Sequence, residues 1–219
     1  VADLAFRSAT FNPPNQLLIG LNDGSIITYD VWNGTVLSKS NQKAHTAAIT
    51  ALQVDCFTST LVSLSDDRTL KLWPADNAVA PLRSLDFNSF HFGYLQPLSL
   101  ALSGGFVFVG LRDKEILMFS LQSLLSGGND ILARFGGHST SVTSIRVLEG
   151  TMITASGELL TLWSVSDKTR IATVEPHQSW NTALEITATR IFTAGTDASI
   201  QIYRYQTKVM SAIRDGVRK

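Results

Sequence analysis

Leu61-Val62-Ser63-Leu64-Ser65-Asp66-Asp67-Arg68-Thr69-Leu70-Lys71-Leu72-Trp73 is an apolar run, a polar turn and a second apolar run closed by an aromatic residue. Versions of this line end at Tyr29, Trp73, Phe119, Trp163 and Tyr203, at successive spacings of 44, 46, 44 and 40 residues. A period of about 40–45 residues that holds several short strands is the period of a propeller blade.

Each copy reads in the same order. Strand a carries apolar residues at or near alternate positions: Val1/Leu4/Phe6, Ile49/Leu52/Val54, Leu98/Leu100/Leu102, Val142/Ile145/Val147 and Leu184/Ile186. Strand b follows at 17–21, 61–65, 106–111, 152–155 and 191–195, and strand c at 26–29, 70–73, 116–119, 159–163 and 200–203. Both are nearly continuous apolar runs, as expected of strands buried on two faces. A more polar strand d, at 36–38, 82–85, 131–135, 170–174 and 209–213, suits an outer edge. Asn33-Gly34 predicts a two-residue hairpin between strands c and d of the first unit. No segment has sustained helical periodicity, and the nearest candidate, 119–125, is too short. The expected architecture is all-β, with antiparallel four-stranded blades at about 1–40, 45–88, 94–135, 138–175 and 177–213, and a short basic tail at 214–219.

Composition agrees. Hydrophobic residues make up 44% of the 219 and charged residues 16%, so a large core is available without metal or disulfide staples. Lys+Arg and Asp+Glu are 18 each, which argues against global attraction to nucleic acid or an anionic membrane. A single cysteine, Cys56, excludes an internal disulfide and fits a reducing, cytoplasmic or nuclear setting. Residues 87–111 lack Asp, Glu, Lys and Arg, yet His91, Gln96, Pro97 and Gly104-Gly105 interrupt them, so two strands and a turn are expected there and no membrane insertion.

These residues resemble WD repeats. That family places Gly-His ahead of strand a, Ser or Thr in strand b, Asp in the b–c turn and Trp-Asp at the end of strand c. Gly137-His138 matches the first element, and Ala44-His45 and Pro176-His177 keep its histidine. The closing pairs are degenerate: Tyr29-Asp30, Trp73-Pro74, Phe119-Ser120, Trp163-Ser164 and Tyr203-Arg204. The resemblance implies a buried hydrogen-bonded chain linking the d–a loop to strands b and c. The second unit has all four members: His45, Ser63, Asp67 and Trp73. The fifth has His177, Thr193 and Asp197, with Tyr203 in place of Trp. In the fourth, Ser156-Gly157-Glu158 is a residue short and lacks the Asp, which leaves His138 without its expected partner. Asp23 and Asp113 occupy the turn position in the first and third units without a visible histidine.

The histidines fall at equivalent places on different blades, so structural hydrogen bonding is the better reading and no metal or cofactor is expected. No Gly-x-Ser-x-Gly or phosphate loop is present, and of the adjacent carboxylates Asp66 and Asp67 one is assigned to the turn network, so no pair suits acid–base work and no catalytic residue is assigned. The resemblance implies instead a scaffold that binds protein partners through its d–a and b–c loops. That assigns Asn22, Asp66, Arg112 and Thr196, each just before a turn Asp, as candidate contacts, with Trp180 ahead of strand a and with Phe92 and Tyr94 as a second aromatic pair. WD propellers usually have more blades than five, about seven. Further blades or domains outside this chain are therefore expected, or a structural role in an assembly completed by a partner in trans (a coat, a ubiquitin-ligase adaptor or an RNA-processing complex). A propeller enzyme is the remotest reading.

Overall fold

The computed structural model describes residues 6–39, 43–76, 80–90, 95–206 and 209–212. Among them lie twenty strands in five four-stranded antiparallel sheets, the blades of a β-propeller fold. The first blade is β1–β4 (Phe6–Asn12, Gln16–Leu21, Ile26–Asp30, Thr35–Lys39) and the second β5–β8 (Ile49–Asp55, Thr60–Ser65, Thr69–Pro74, Arg83–Asp86). The third is β9–β12 (Pro97–Ser103, Phe106–Leu111, Ile116–Ser120, Ala133–Phe135). The fourth is β13–β16 (Val142–Leu148, Thr151–Ser156, Leu159–Ser164, Thr169–Val174), and the fifth β17–β20 (Asn181–Ile186, Arg190–Gly195, Ile200–Gln206, Val209–Ala212). Each sheet runs in chain order, so its a–b and c–d turns share one end and its b–c turn the other. The chain forms two compact units, 1–109 with 118–132 and 110–117 with 133–219.

In the first unit, Leu18, Ile26, Ile49, Leu52, Leu61 and Trp73 form one buried cluster between the first two blades. Gly20 permits that closeness, since a Cβ there would lie 2.6 Å from Ile49. All six residues of β6 are buried, the hydroxyls of Thr60, Ser63 and Ser65 among them, as expected of a strand covered on both faces. In the second unit, Ile153, Ala155, Leu160, Leu162, Leu184 and Ile191 form the core, and Tyr203 packs against it. Outer strands are the wet ones: Thr35–Ser38 of β4 are exposed, as is most of β16.

Four local expectations change. The first inner strand is Phe6–Asn12, displaced from the 1–6 alternation, and residues 1–5 lie outside the described residues. Its partner-facing position is filled by a hydroxyl where an apolar side chain was sought: Ser8 Oγ accepts the Leu52 amide at 2.8 Å. The first c–d hairpin has a four-residue loop, since Asp30 pairs with Thr35 across Val31–Gly34. The Asp30 carboxylate accepts the amides of Trp32 (2.8 Å) and Asn33 (3.0 Å), and these bonds, that of Asn33 first, hold its pKa below the usual carboxylate range. A one-turn helix, α1 (Leu121–Leu125), interrupts the third c–d connection, capped by Ser120 Oγ on the Ser123 amide. The strand that follows is trimmed to three residues, 133–135.

Candidate functional site

The b–c turns carry the repeat's polar residues, and all five place a residue at positive φ: Gly24, Arg68, Lys114, Gly157 and Ala198. The tight reversal leaves amides that a side-chain oxygen can accept, which is why Asp precedes that position in four of them. Gly24 is further constrained, because a Cβ there would meet the His45 carbonyl. That close approach lets the Gly24 carbonyl accept the His45 amide at 2.9 Å.

In the second blade, His45 Nδ1 lies 3.0 Å from Asp67 Oδ2 and Nε2 lies 2.7 Å from Ser63 Oγ. Trp73 Nε1 donates to the same Ser63 oxygen at 2.8 Å. Thr69 Oγ1 donates to Asp67 at 2.7 Å, and the Thr46 amide donates at 3.0 Å. Burial alone would raise the Asp67 pKa, but His45, Thr69 and Thr46 outweigh it and hold the carboxyl far below the usual range. Lys71 Nζ donates to the Ala44 carbonyl at 2.7 Å and stands 5.9 Å from the Trp73 ring.

The fifth blade repeats this geometry: His177 Nδ1 to Asp197 at 3.2 Å and Nε2 to Thr193 Oγ1 at 2.9 Å. The Ser199 hydroxyl, foremost, brings the Asp197 pKa down to about 2. The fourth blade departs from expectation. His138 keeps its strand-b partner, Thr154 Oγ1, at 2.9 Å, and Trp163 Nε1 donates to that hydroxyl at 3.1 Å. The missing carboxylate is replaced by a main-chain group: His138 Nδ1 donates to the Lys114 carbonyl at 3.1 Å. Ser156 takes over the turn, its Oγ accepting the Thr140 amide (3.2 Å) and donating to the Thr140 carbonyl (2.8 Å). Sequence reasoning missed Lys114, because a backbone acceptor carries no residue signature. Thr154, Trp163 and Ser156 were findable by analogy with Ser63, Trp73 and Ser65. Asp23 accepts the Ser25 amide at 2.9 Å, and Asp113 is exposed in its turn.

The family model for the WD domain, G-beta repeat, matches residues 37–74, which include the second blade's His, Ser, Asp and Trp. The loop histidine and its strand-b hydroxyl recur in the fourth and fifth blades. The chain contains a WD repeat and has a β-propeller fold. The fold of this WD-repeat chain is shared with solved structures. One is the computationally designed Ika8 protein, at TM-score 0.74 and 23% identity, covering 97% of this chain and 62% of that one. Another is a chain of the Mitotic Checkpoint Complex, at TM-score 0.80 and 18% identity, covering 97% and 65%. The WD-repeat chain thus spans less than two thirds of the length of either. No curated protein matches it.

With the WD-repeat networks consumed as internal ties, the d–a and b–c loops present the remaining candidates. In the first unit Asn22 is exposed, while Asp66 is engaged by Arg7 at 3.2 Å. In the second, loops interlock: Ser141 Oγ donates to the Arg112 carbonyl (3.2 Å), Asn181 to Gly157 O (2.8 Å) and the Thr196 amide to Trp180 O (2.9 Å). The Ser179 and Thr196 hydroxyls add a bond of 2.6 Å. Trp180 is therefore pinned by its backbone while its residue surface stays 55% exposed. Arg112 and Thr196 are exposed beside these ties. Phe92 and Tyr94 lie outside the described residues.

Proposed function

We propose that this chain is a non-catalytic protein-interaction scaffold that engages partners through the d–a/b–c loops, with Trp180 as the principal contact. The exposed indole on a hydrogen-bonded loop carries the reading: aromatic anchors held in place lose little entropy on binding. Arg112 and Thr196 supply polar contacts. The WD-repeat family, generally a family of interaction platforms, supports the class of function, and the match to a chain of the Mitotic Checkpoint Complex supports work within assemblies. One propeller region and a cytoplasmic location, which the free Cys56 suits, are part of the proposal. The test is capture of partners by wild type, Trp180→Ala and Arg112→Glu. Loss of at least one partner with each variant is expected, and undiminished capture by both overturns the assigned face.

A second reading has its own observation. In the first and fifth blades strand b is buried on one face only. Ile191 and Thr193 are buried while Phe192 and Ala194 are part-exposed, and Ile200 beside them is 65% exposed. Leu17 and Ile19 repeat the pattern in β2. We propose that these faces receive further blades, from the same polypeptide or from a partner in trans. Sedimentation should show the chain self-associating on its own and monodisperse when blades that cover these faces are supplied. A monodisperse, cooperatively unfolding chain on its own contradicts this.

A further inference from the structure

The opposite end of the first two blades, where a–b and c–d turns lie, carries exposed aromatic residues on its turns. Trp32, at the tip of the β3–β4 loop, is 77% exposed, and Phe57, in the β5–β6 turn, is fully exposed. Phe11, Val31, Val36 and Leu37 add exposed apolar area at or beside that end. Single exposed apolar residues are ordinary, but six of them on the turns and adjoining strands of two neighbouring blades make this end a candidate interaction surface.

Three features argue for a built surface. The loops are stitched together: Val31 N to Asn15 O (2.9 Å), Asn12 Nδ2 to Ala75 O (3.2 Å) and Ala75 N to Ser59 O (2.9 Å). The Trp32 loop is fixed from beneath by buried Asp30, which takes its amide and two hydrogen bonds from Asn33. The Phe57 turn is fixed by Asp55, which accepts from the Thr58 amide (3.0 Å) and hydroxyl (2.6 Å). Both aromatics therefore project from backbones that need no ordering on binding.

Charge selects the occupant. The segments that build this end (9–17, 30–36, 55–60 and 74–76) contain Asp30, Asp55 and Asp76 and no Lys, Arg, His or Glu. An anionic membrane is disfavoured there, whereas a cation over the face of Trp32 is favoured. We propose that the a–b/c–d end of the first two blades docks a basic peptide segment carrying apolar or aromatic anchors. This site is separate from the Trp180 loops, so the two proposals stand or fall independently.

Cys56, the sole cysteine and exposed beside Phe57, provides the probe. The full chain, labelled at Cys56 with an environment-sensitive maleimide dye, is titrated with a synthetic peptide alternating Lys with Leu and Phe. The comparison ligands are its Glu-for-Lys twin and anionic phosphatidylserine vesicles. Saturable binding of the basic peptide at least about tenfold tighter than its acidic twin is expected. Trp32→Ser and Asp76→Lys should each weaken it by about tenfold, with Trp180→Ser unchanged. Because Asp76 is exposed, its reversal tests charge without touching the core. Equal affinity for both peptides, indifference to Trp32→Ser and Asp76→Lys, dye response to vesicles alone, or dimerisation that Trp32→Ser abolishes each overturns the proposal.

Discussion

The second and fourth blades hold the same loop histidine with different acceptors. His45 is gripped by the Asp67 carboxylate, which Thr69 and the Thr46 amide also engage. His138 does the same job against the Lys114 carbonyl, a neutral group contributed by the preceding b–c turn. The inner half of the chain is unchanged, with Ser63 and Trp73 in one blade and Thr154 and Trp163 in the other. What the architecture requires is thus an acceptor for Nδ1 and a hydroxyl for Nε2, and the acceptor's charge is optional.

The largest effect should come from deleting the carboxylate where it is used. Asp67→Ala removes the acceptor shared by buried His45, the Thr69 hydroxyl and the Thr46 and Thr69 amides, and losing these several bonds to a charged group should cost about 3–5 kcal/mol in urea unfolding. In the fourth blade Glu158 is exposed, and Glu158→Ala should stay within about 0.5 kcal/mol. Comparable losses from both would break the comparison. Next comes the shared inner hydroxyl: Thr154→Val strands His138 Nε2 and Trp163 Nε1 and should cost about 1–3 kcal/mol. Gly24→Ala belongs in the same range, about 1–3 kcal/mol, because it combines positive φ with a clash on His45 O. The smallest change is a gain. Arg68 sits at the equivalent turn position with φ of 65°, and Arg68→Gly should stabilise by about 0.5–1 kcal/mol, read as a shifted urea midpoint.

The two blades also differ in acid sensitivity, through the burial of His138 in one and the hydrogen-bonded carboxylate of Asp67 in the other. Burial, foremost, lowers the His138 pKa below its ordinary 6.5, so below that pH the unfolded chain takes up a proton that the folded chain resists. Its contribution is fully present above 6.5 and is lost as pH falls. Asp67, lowered from 3.8, keeps its contribution above that value and loses it only in stronger acid. Stability measured between about pH 7 and pH 5 should therefore fall in wild type and flatten in His138→Gln.

Most of the blade structure is legible in the sequence because strand b of the second, third and fourth blades is buried on both faces and writes a nearly continuous apolar run. Leu61–Ser65 and Phe106–Leu111 show this, and β10 spans 106–111. Strand 6–12 hides because Ser8 makes its cross-blade contact through oxygen. The Val31–Gly34 loop hides because the Asp30 side chain, two to three residues away, closes it. Side-chain networks are readable wherever each member has a residue identity, as in the second and fifth blades. They become unreadable where the backbone substitutes, as Lys114 does. Trp180 stands out in the sequence as an aromatic just ahead of strand a, while Trp32 and Phe57 became a group only when the turns were placed together.

The comparison rests on His138 being a neutral imidazole that donates through Nδ1 to a carbonyl and accepts at Nε2 from Thr154. Nitrogen-15 NMR of the histidine side chains across a pH titration measures both properties at once. The Nδ1–H tautomer, persisting to a pH below 6.5, is the expected result. An Nε2–H tautomer, or protonation at or above 6.5, would contradict it.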